Sequence, residues 1–475
     1  MLSLLVIVPA ILGLLALYSK DLRIDLALLL GTAILHLLVT ACLWAGPSGP
    51  ELGSLLKLDV PGLLFLSITS VIFLSAALYT IPYVLHGTHD KPAALQRFIP
   101  CLLWFLSAMT LVAVTQNLAL MWAAVEGTTL ASAPLVYFYR RRGALEATWK
   151  YLLVCSVGIA LALLGTFFLG IAAAGSSVGA SDLTLSGLSR AAPFMARPWL
   201  KAAFVLALVG YGTKMGLAPL HTWLPDAHSE APSPVSALLS GALLNCAFLA
   251  ILRFYQVCLA SGDSQFARTL LIVLGMGSLL LAAAFMVSQR DYKRLFAYSS
   301  IENMGIMAVG VGLGGAASYG ALLHAVNHSL CKAGLFFLAG NVLRSFGTTV
   351  ARDVRGVLGR LPQTGVLLLA LLLAIGGAPP FGPFWSEFLI FQSALGGAHA
   401  WLGISFVLLL AVAFLGMAGV LLPMLAGGGT ADRLAEPRLS LLSPLALASG
   451  ALAMGLYIPS FLADALHRAA GVLGG

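Results

Sequence analysis

The chain has 475 residues, of which 60% are hydrophobic and 9% charged, with a mean hydropathy of +0.98. A soluble domain carries about 25% charged residues, so the composition excludes a water-soluble globular enzyme and identifies an integral membrane protein. The formal charge of +8 sits mostly in short loops, where it orients a membrane chain in the lipid bilayer and offers no surface for nucleic acid.

A span needs roughly 20 apolar residues, and that rule predicts an all-α polytopic membrane protein of about 14 transmembrane helices. They fall near 2–19, 25–46, 60–84, 98–115, 117–138, 147–173, 199–224, 234–256, 267–288, 294–313, 317–343, 364–394, 400–425 and 440–462. The apolar start lacks a basic n-region and an A-x-A cleavage site, so it reads as a first span and not as a removed signal. Loops after odd spans are basic: Lys20 and Arg23, Lys91 and Arg97, Arg140 to Arg142, Arg290 with Lys293 and Arg294, and Arg344 with Arg352, Arg355 and Arg360. Loops after even spans carry less charge, with Arg190, Arg197 and Lys201 as exceptions. Positive-inside bias then puts the odd loops in the cytoplasm and both termini outside a bacterial inner membrane.

Two spans are broken. The seventh, KAAFVLALVGYGTKMGLAPLHTWLP, contains Gly210, Gly212, Gly216 and Pro219, and the twelfth is interrupted by GGAPPFGP. Proline removes a backbone donor and clashes with the preceding turn, and carbonyls freed in lipid must be satisfied by protein or water. Paired interruptions in two halves point to an inverted-repeat transporter. Glu126 precedes Lys214 by 88 residues and Glu302 precedes Glu387 by 85, so the same spacing recurs. The expected organisation is an N-terminal three-helix segment (1–97), a five-helix repeat (98–256, broken near 210–220), a second, inverted one (267–425, broken near 376–383) and a C-terminal helix (426–475). Ser233 and Pro234 are read as the N-cap and first helical residue of span eight.

Ionisable side chains at mid-bilayer cost about 2.5–3.5 kcal/mol each even on a lenient scale, so several in one chain indicate a polar interior path. Glu126 lies in LALMWAAVEGTTLASAPLVYF with Thr129 on its face. It is either a proton-path carboxylate or a structural partner of a lysine. Lys214 sits one turn before Pro219, where the carbonyls of a half-helix C-terminus favour a cation. Lysine titrates readily when buried, which suits it to exchange a proton with Glu126, although tethering the broken helix is the plainer role. In span eleven, His324, His328 and Lys332 stand at i, i+4 and i+8 and share one helix face. Histidine titrates nearest neutrality, so the stripe reads as a relay, against histidines satisfied by carbonyls. No carboxylate or thiolate has metal-ligand spacing there. Glu387 follows the second break as the counterpart of Lys214 and the end of the path. Glu302 and Asn303 add polar surface in span ten. Lys150, a turn from Glu146, is a path residue or an interfacial ion pair. His221, with Asp226, His228 and Glu230, forms an entry path or a solvated loop. His36 reads as packing. Cys42, Cys101, Cys155, Cys246, Cys258 and Cys331 stand singly without a CxxC pair, so they read as small buried hydrophobes and not as cluster or zinc ligands.

The run TKMGLAPLHTWLPDAHSEAPSPVSALLSGALL resembles the lysine–PxHxWLPDA–xxPxPVSAL pattern of the antiporter-like proton-translocating subunits. That family is shared by respiratory complex I, Mrp-type cation/proton antiporters and group 4 membrane-bound hydrogenases. DYKRLFAYSSIENMG, HAVNHSLCKAGLFFLAGNVL and PPFGPFWSEFLI follow in the same order, over roughly residues 60 to 430. The wording of SSIEN, HSLCKAGLFFLAGNV and FGPFWSEFLIF is similar to the hydrogenase-4/formate hydrogenlyase branch. The resemblance implies a subunit that moves protons along charged residues at mid-membrane. On it, the family glutamate falls on Glu126, the broken-helix lysine on Lys214, the His/Lys groups on His324, His328 and Lys332, and the terminal group on Glu387. Many relatives carry a histidine where this chain has Ser240, so Ser240, Asn245 or water must bridge the halves. The short stretch after the last span resembles an internal subunit without a long lateral helix.

The resulting expectation is a proton-conducting subunit of a redox-driven complex, membrane-bound hydrogenase or NADH dehydrogenase-like. Other membrane subunits and a peripheral redox arm are its partners. No cofactor motif lies in this chain, so iron–sulfur clusters and NiFe belong to those partners. The alternatives are an Mrp-type Na⁺/H⁺ antiporter module, or a membrane scaffold and proton channel for a soluble enzyme such as an inorganic-carbon uptake protein.

Overall fold

The computed structural model describes residues 1–46, 49–53, 55–85, 92–174, 183–396, 400–427 and 433–474, without the side chains of 92–96. Lys91 lies outside the described residues. In chain order the helices are α1 (Leu2–Tyr18), α2 (Leu22–Ala45), α3 (Val60–Leu85), α4 (Pro92–Val114), α5 (Leu118–Val136), α6 (Arg142–Ala174), α7 (Leu185–Ala191), α8 (Arg197–Met215) and α9 (Trp223–Glu230). A continuous α10 (Ser233–Ala260) follows. Then come α11 (Gln265–Val287), α12 (Tyr292–Leu313), α13 (Ala316–Phe346), α14 (Val357–Arg360), α15 (Pro362–Ile375), α16 (Gly382–Gly396), α17 (Ala400–Leu425), α18 (Arg438–Leu456) and α19 (Ser460–Gly471). No strand forms among the described residues; isolated bridges such as Asn117 with Thr184 tie loops together.

Ten of the fourteen expected spans are single helices long and apolar enough to cross a bilayer. The other four are α1, which has 17 residues, the polar α12, and the two broken spans, α8 with α9 and α15 with α16. The fourteenth span also ends earlier than expected: α18 stops at Leu456 and a separate α19 follows.

Lipid offers helices no hydrophobic reason to associate, so close approach comes from small residues. A side-chain carbon added at Gly210 of α8 would stand 2.5 Å from the Gly158 carbonyl of α6, and one at Gly158 would stand 2.8 Å from Thr213. Gly275 of α11 and Gly305 of α12 repeat this: a carbon on either would lie 2.7–2.8 Å from the other's carbonyl. α10 is buried along nearly its whole length, whereas α6, α11 and α17 expose one face of Leu, Val, Ile and Phe such as Leu153, Phe167, Leu280 and Leu408. The bundle therefore has an inner layer around α10 and α13 and an outer layer with a lipid-facing side. At its edge His36 of α2 meets Ser70 of α3 and Thr110 of α4, each at 2.9 Å, which matches its reading as a packed side chain.

Of the glycines and prolines that flag the breaks, a glycine turns the chain in each. α8 stops at Met215 because Gly216 takes φ +85°, with the Leu217 amide donating to the Gly212 carbonyl at 2.8 Å. That conformation is open to glycine and costly for other residues. In the second break Gly377 takes φ +71° and the Ala378 amide donates to Leu373 at 3.0 Å. The Trp223 indole reaches back to the Thr213 carbonyl at 2.8 Å, satisfying one of the orphan groups of the helix end. The expected cap of span eight is corrected. Ser233 is already helical and its hydroxyl has no partner, while Ser236 donates to the His228 carbonyl at 2.9 Å. Midway along α10, residues Leu239–Leu243 form one π-helical turn, a deviation that recurs at functional sites.

Candidate functional site

In the first half, α5, α6 and α8 bring Glu126, Tyr151 and Lys214 together. Lys214 is fully buried. Its ammonium donates to Thr129 at 2.8 Å and to the Tyr151 hydroxyl at 2.7 Å, and lies 4.6 Å from the Tyr151 ring centre. Thr129 in turn donates to the Glu126 carboxylate at 3.3 Å, which also accepts from Ser156 at 2.9 Å. Thr129 thus stands between Glu126 and Lys214, and no ion pair joins them among the described residues.

Around α13, the stripe of His324, His328 and Lys332 is fully buried, and its members reach α10, α12 and α16. His324 bonds Ser386 of α16 at 2.9 Å and Asn303 of α12 at 3.0 Å. His328 bonds the Ser240 carbonyl in the π-helical turn at 3.4 Å. Lys332 donates to the Phe296 carbonyl of α12 at 2.9 Å. Glu302, only 5% exposed, lies within Coulombic reach of Lys332 but outside ion-pair distance. Ser240 and Ser300 share a hydrogen bond of 2.8 Å, and Asn245 donates to Ser329 at 2.7 Å. Ser240 therefore reaches the second half alone. No hydrogen bond among the described residues carries it to Lys214.

Glu387 lies half-buried on α16 at the edge of a cavity of about 290 Å³ beside the second break. Lys214 precedes its break and Glu387 follows its own, so the two are not at matching places on their broken helices.

Lys150 is 48% exposed and bonded to Glu146 at 2.7 Å and to Asp226 at 3.1 Å. Asp226 also holds Arg294 at 2.8 Å, so Lys150 belongs to an ion cluster at one face, the plainer of its two readings. Together with Ser229 and Glu230 these groups line a polar cavity of about 270 Å³. His221 is buried near Tyr298, with ring centres 6.3 Å apart, and makes no hydrogen bond to Lys214. His228 is no loop residue: it is fully buried and stacks on Phe336 at 4.9 Å. Lys293, read as a loop cation, is also buried and donates to the Ser229 and Ala231 carbonyls at 3.0 and 2.6 Å. Among the described residues, no group of three or more His, Cys, Asp or Glu side chains is placed to hold a metal ion.

Tyr151, Ser132, Ser156 and Ser386 were not singled out in the sequence. Hydroxyls abound in membrane helices and most bond their own preceding turn, as Thr166 does with Ala162 at 2.9 Å. Their partners mark these four: Tyr151 meets Lys214, Ser132 meets Tyr151, Ser156 meets Glu126 and Ser386 meets His324.

Residues 115–414 match the family described as NADH:quinone oxidoreductase/Mrp antiporter, TM. The chain is 41% identical over 347 residues to a hydrogenase-4 component F homolog of Methylacidiphilum infernorum, covering 72% of this chain and 73% of that one. It is 31% identical over 330 residues to NADH-quinone oxidoreductase subunit N of Desulforudis audaxviator, covering 69% and 64%. The fold superposes on a chain of the archaeal membrane-bound sulfane sulfur reductase with a TM-score of 0.89 at 21% identity, over 99% of this chain and 97% of that one. It also superposes on a chain of respiratory complex I from Thermus thermophilus with bound NADH, with a TM-score of 0.83 at 23% identity over the full length of both. With that fold, those matched residues and that relative, the chain belongs to the NADH:quinone oxidoreductase/Mrp antiporter transmembrane family.

Proposed function

We propose that this chain is the proton-translocating, antiporter-like membrane subunit of a larger redox-driven complex, of membrane-bound hydrogenase or NADH dehydrogenase type. The observation that carries it is the pair of fully buried lysines, Lys214 and Lys332. Each donates to neutral oxygens, and each has a glutamate in the next shell, Glu126 and Glu302. A charge in low dielectric acts over several ångströms with little screening. Deprotonating one glutamate therefore steadies the nearby lysine's proton, and protonating it releases that proton. Thr129 both accepts from Lys214 and donates to Glu126, which makes the link mobile where a direct ion pair would lock it.

On this reading protons pass from Glu126 through Thr129 to Lys214. They cross beside the π-helical turn at Ser240 by way of water, and continue through His328, Lys332, Glu302 and His324 to Glu387. Residues 98–256 and 267–425 act as two inverted five-helix units. An odd number of spans starts the second unit from the opposite face, which gives the path two mirrored halves. The ion cluster of Lys150, Asp226 and Arg294 then lies on the cytoplasmic side, with both termini outside. Other membrane subunits and a peripheral arm complete the complex, and that arm holds the iron–sulfur and NiFe centres.

Purification from native membranes with identification of co-purifying chains tests the assembly. Redox subunits are expected with it. A chain that isolates alone and transports ions by itself contradicts the reading.

A further inference from the structure

The cavity beside Glu387 has a lining that a proton path does not require. Phe384, Phe388, Phe391, Phe406 and Phe414 supply five rings of its wall around the Glu387 carboxyl, and among the described residues no lysine, arginine or histidine lines it. Phe384 and Phe388 stack with centres 5.9 Å apart and planes inclined by 20°. The glycines of the second break make the room: a side chain at Gly376 would run into Phe414, and one at Gly377 into the Glu387 carboxylate.

Aromatic faces carry negative potential and attract cations, and the Glu387 carboxyl supplies a negative charge when it ionises against a cation bound beside it, where low dielectric strengthens the attraction. Small metal cations need several oxygen ligands, which phenylalanine walls do not offer. A cation that carries its own apolar cover is suited to both the rings and the carboxylate. We propose that this cavity is a binding site for lipophilic ammonium cations of about the size of benzyltrimethylammonium. It rests on the reading of Glu387 as the last group of the proton path, and a bound cation there neutralises the carboxylate and stops proton transfer from it.

The test uses the full-length chain purified with its partners. Equilibrium dialysis measures binding of labelled benzyltrimethylammonium, with neopentylbenzene as an uncharged compound of the same shape. Saturable binding to the wild type is expected, and neopentylbenzene does not compete. Glu387→Gln weakens binding by about tenfold or more. Phe388→Leu, on a ring 42% exposed and tolerant of change, weakens it by roughly two- to tenfold. Absence of saturable binding to the wild type overturns the proposal, as does undiminished binding to Glu387→Gln or equal competition by neopentylbenzene. Proton translocation by Glu387→Gln separates the two readings. If it persists while binding is lost, the cation site stands and the path ends elsewhere. If it is lost while binding persists, the path stands and the site is wrong.

Discussion

Burying an ammonium costs several kcal/mol, and hydrophobic replacement of buried charges is often neutral or stabilising. Lys214 is fully buried, with two neutral hydroxyls as its hydrogen-bond partners. Lys214→Met should therefore unfold at the same or a higher temperature than the wild type, by about 1–3 kcal/mol, while translocation is lost. Differential scanning fluorimetry in detergent, beside a transport assay, checks both. Thr129→Val keeps the shape but removes the bridging hydroxyl, and should slow translocation several-fold without loss of fold. The charged residues of this site were legible because a Glu or Lys inside twenty apolar residues is conspicuous. Tyr151 and Thr129 owe their roles to a lysine 63 and 85 residues away, a relation no local pattern carries. Lys293 reads as a loop cation because it adjoins a charged loop, although the chain folds it inward, and the burial of His228 removes the loop alternative of its two readings.

Glycine governs the elements. Gly216 and Gly377 occupy φ +85° and +71°, so each break depends on a conformation that other residues adopt only at a cost. Gly377→Ala should cost about 1–3 kcal/mol, because its added carbon also meets Glu387, and the loss is read as a lower melting temperature. Gly210→Ala should part α6 from α8, since the added carbon would lie 2.5 Å from the Gly158 carbonyl and 2.6 Å from the Ala162 amide. Overpacking of that kind costs about 1–3 kcal/mol, and it should weaken translocation by pulling Tyr151 away from Lys214. Hydropathy placed most helices well, the thirteenth span at 400–425 coinciding with Ala400–Leu425. It missed the π-helical turn, because LSGAL has no composition that distinguishes π from α. It placed the breaks on glycine and proline together, and which residue turns the chain, Gly216 in one and Gly377 in the other, follows from a positive φ that composition does not show.

At the scale of the whole molecule, an ion cluster ties three helices together: Asp226 of α9 holds Lys150 of α6 and Arg294 of α12 at 3.1 and 2.8 Å. Lys150 is 48% exposed and Asp226 17%, so screening limits what these pairs are worth to about 0–1 kcal/mol each. Asp226→Asn should lower the melting temperature only slightly, with an effect that fades as salt is raised. On the proposed path the two units meet at α10 and α13, where the hydrogen bonds of Ser240 with side chains among the described residues run to Ser300 and His328, so transfer across this plane decides whether the molecule is one path or two. Proton translocation by the reconstituted complex, measured by a pH-sensitive dye in proteoliposomes with Lys214→Met and Lys332→Met compared singly against the wild type, tests this most directly. The account predicts that either substitution alone reduces translocation at least about tenfold, a loss of 1.4 kcal/mol or more in transition-state terms, with the complex still assembled. Full translocation by either variant would contradict it.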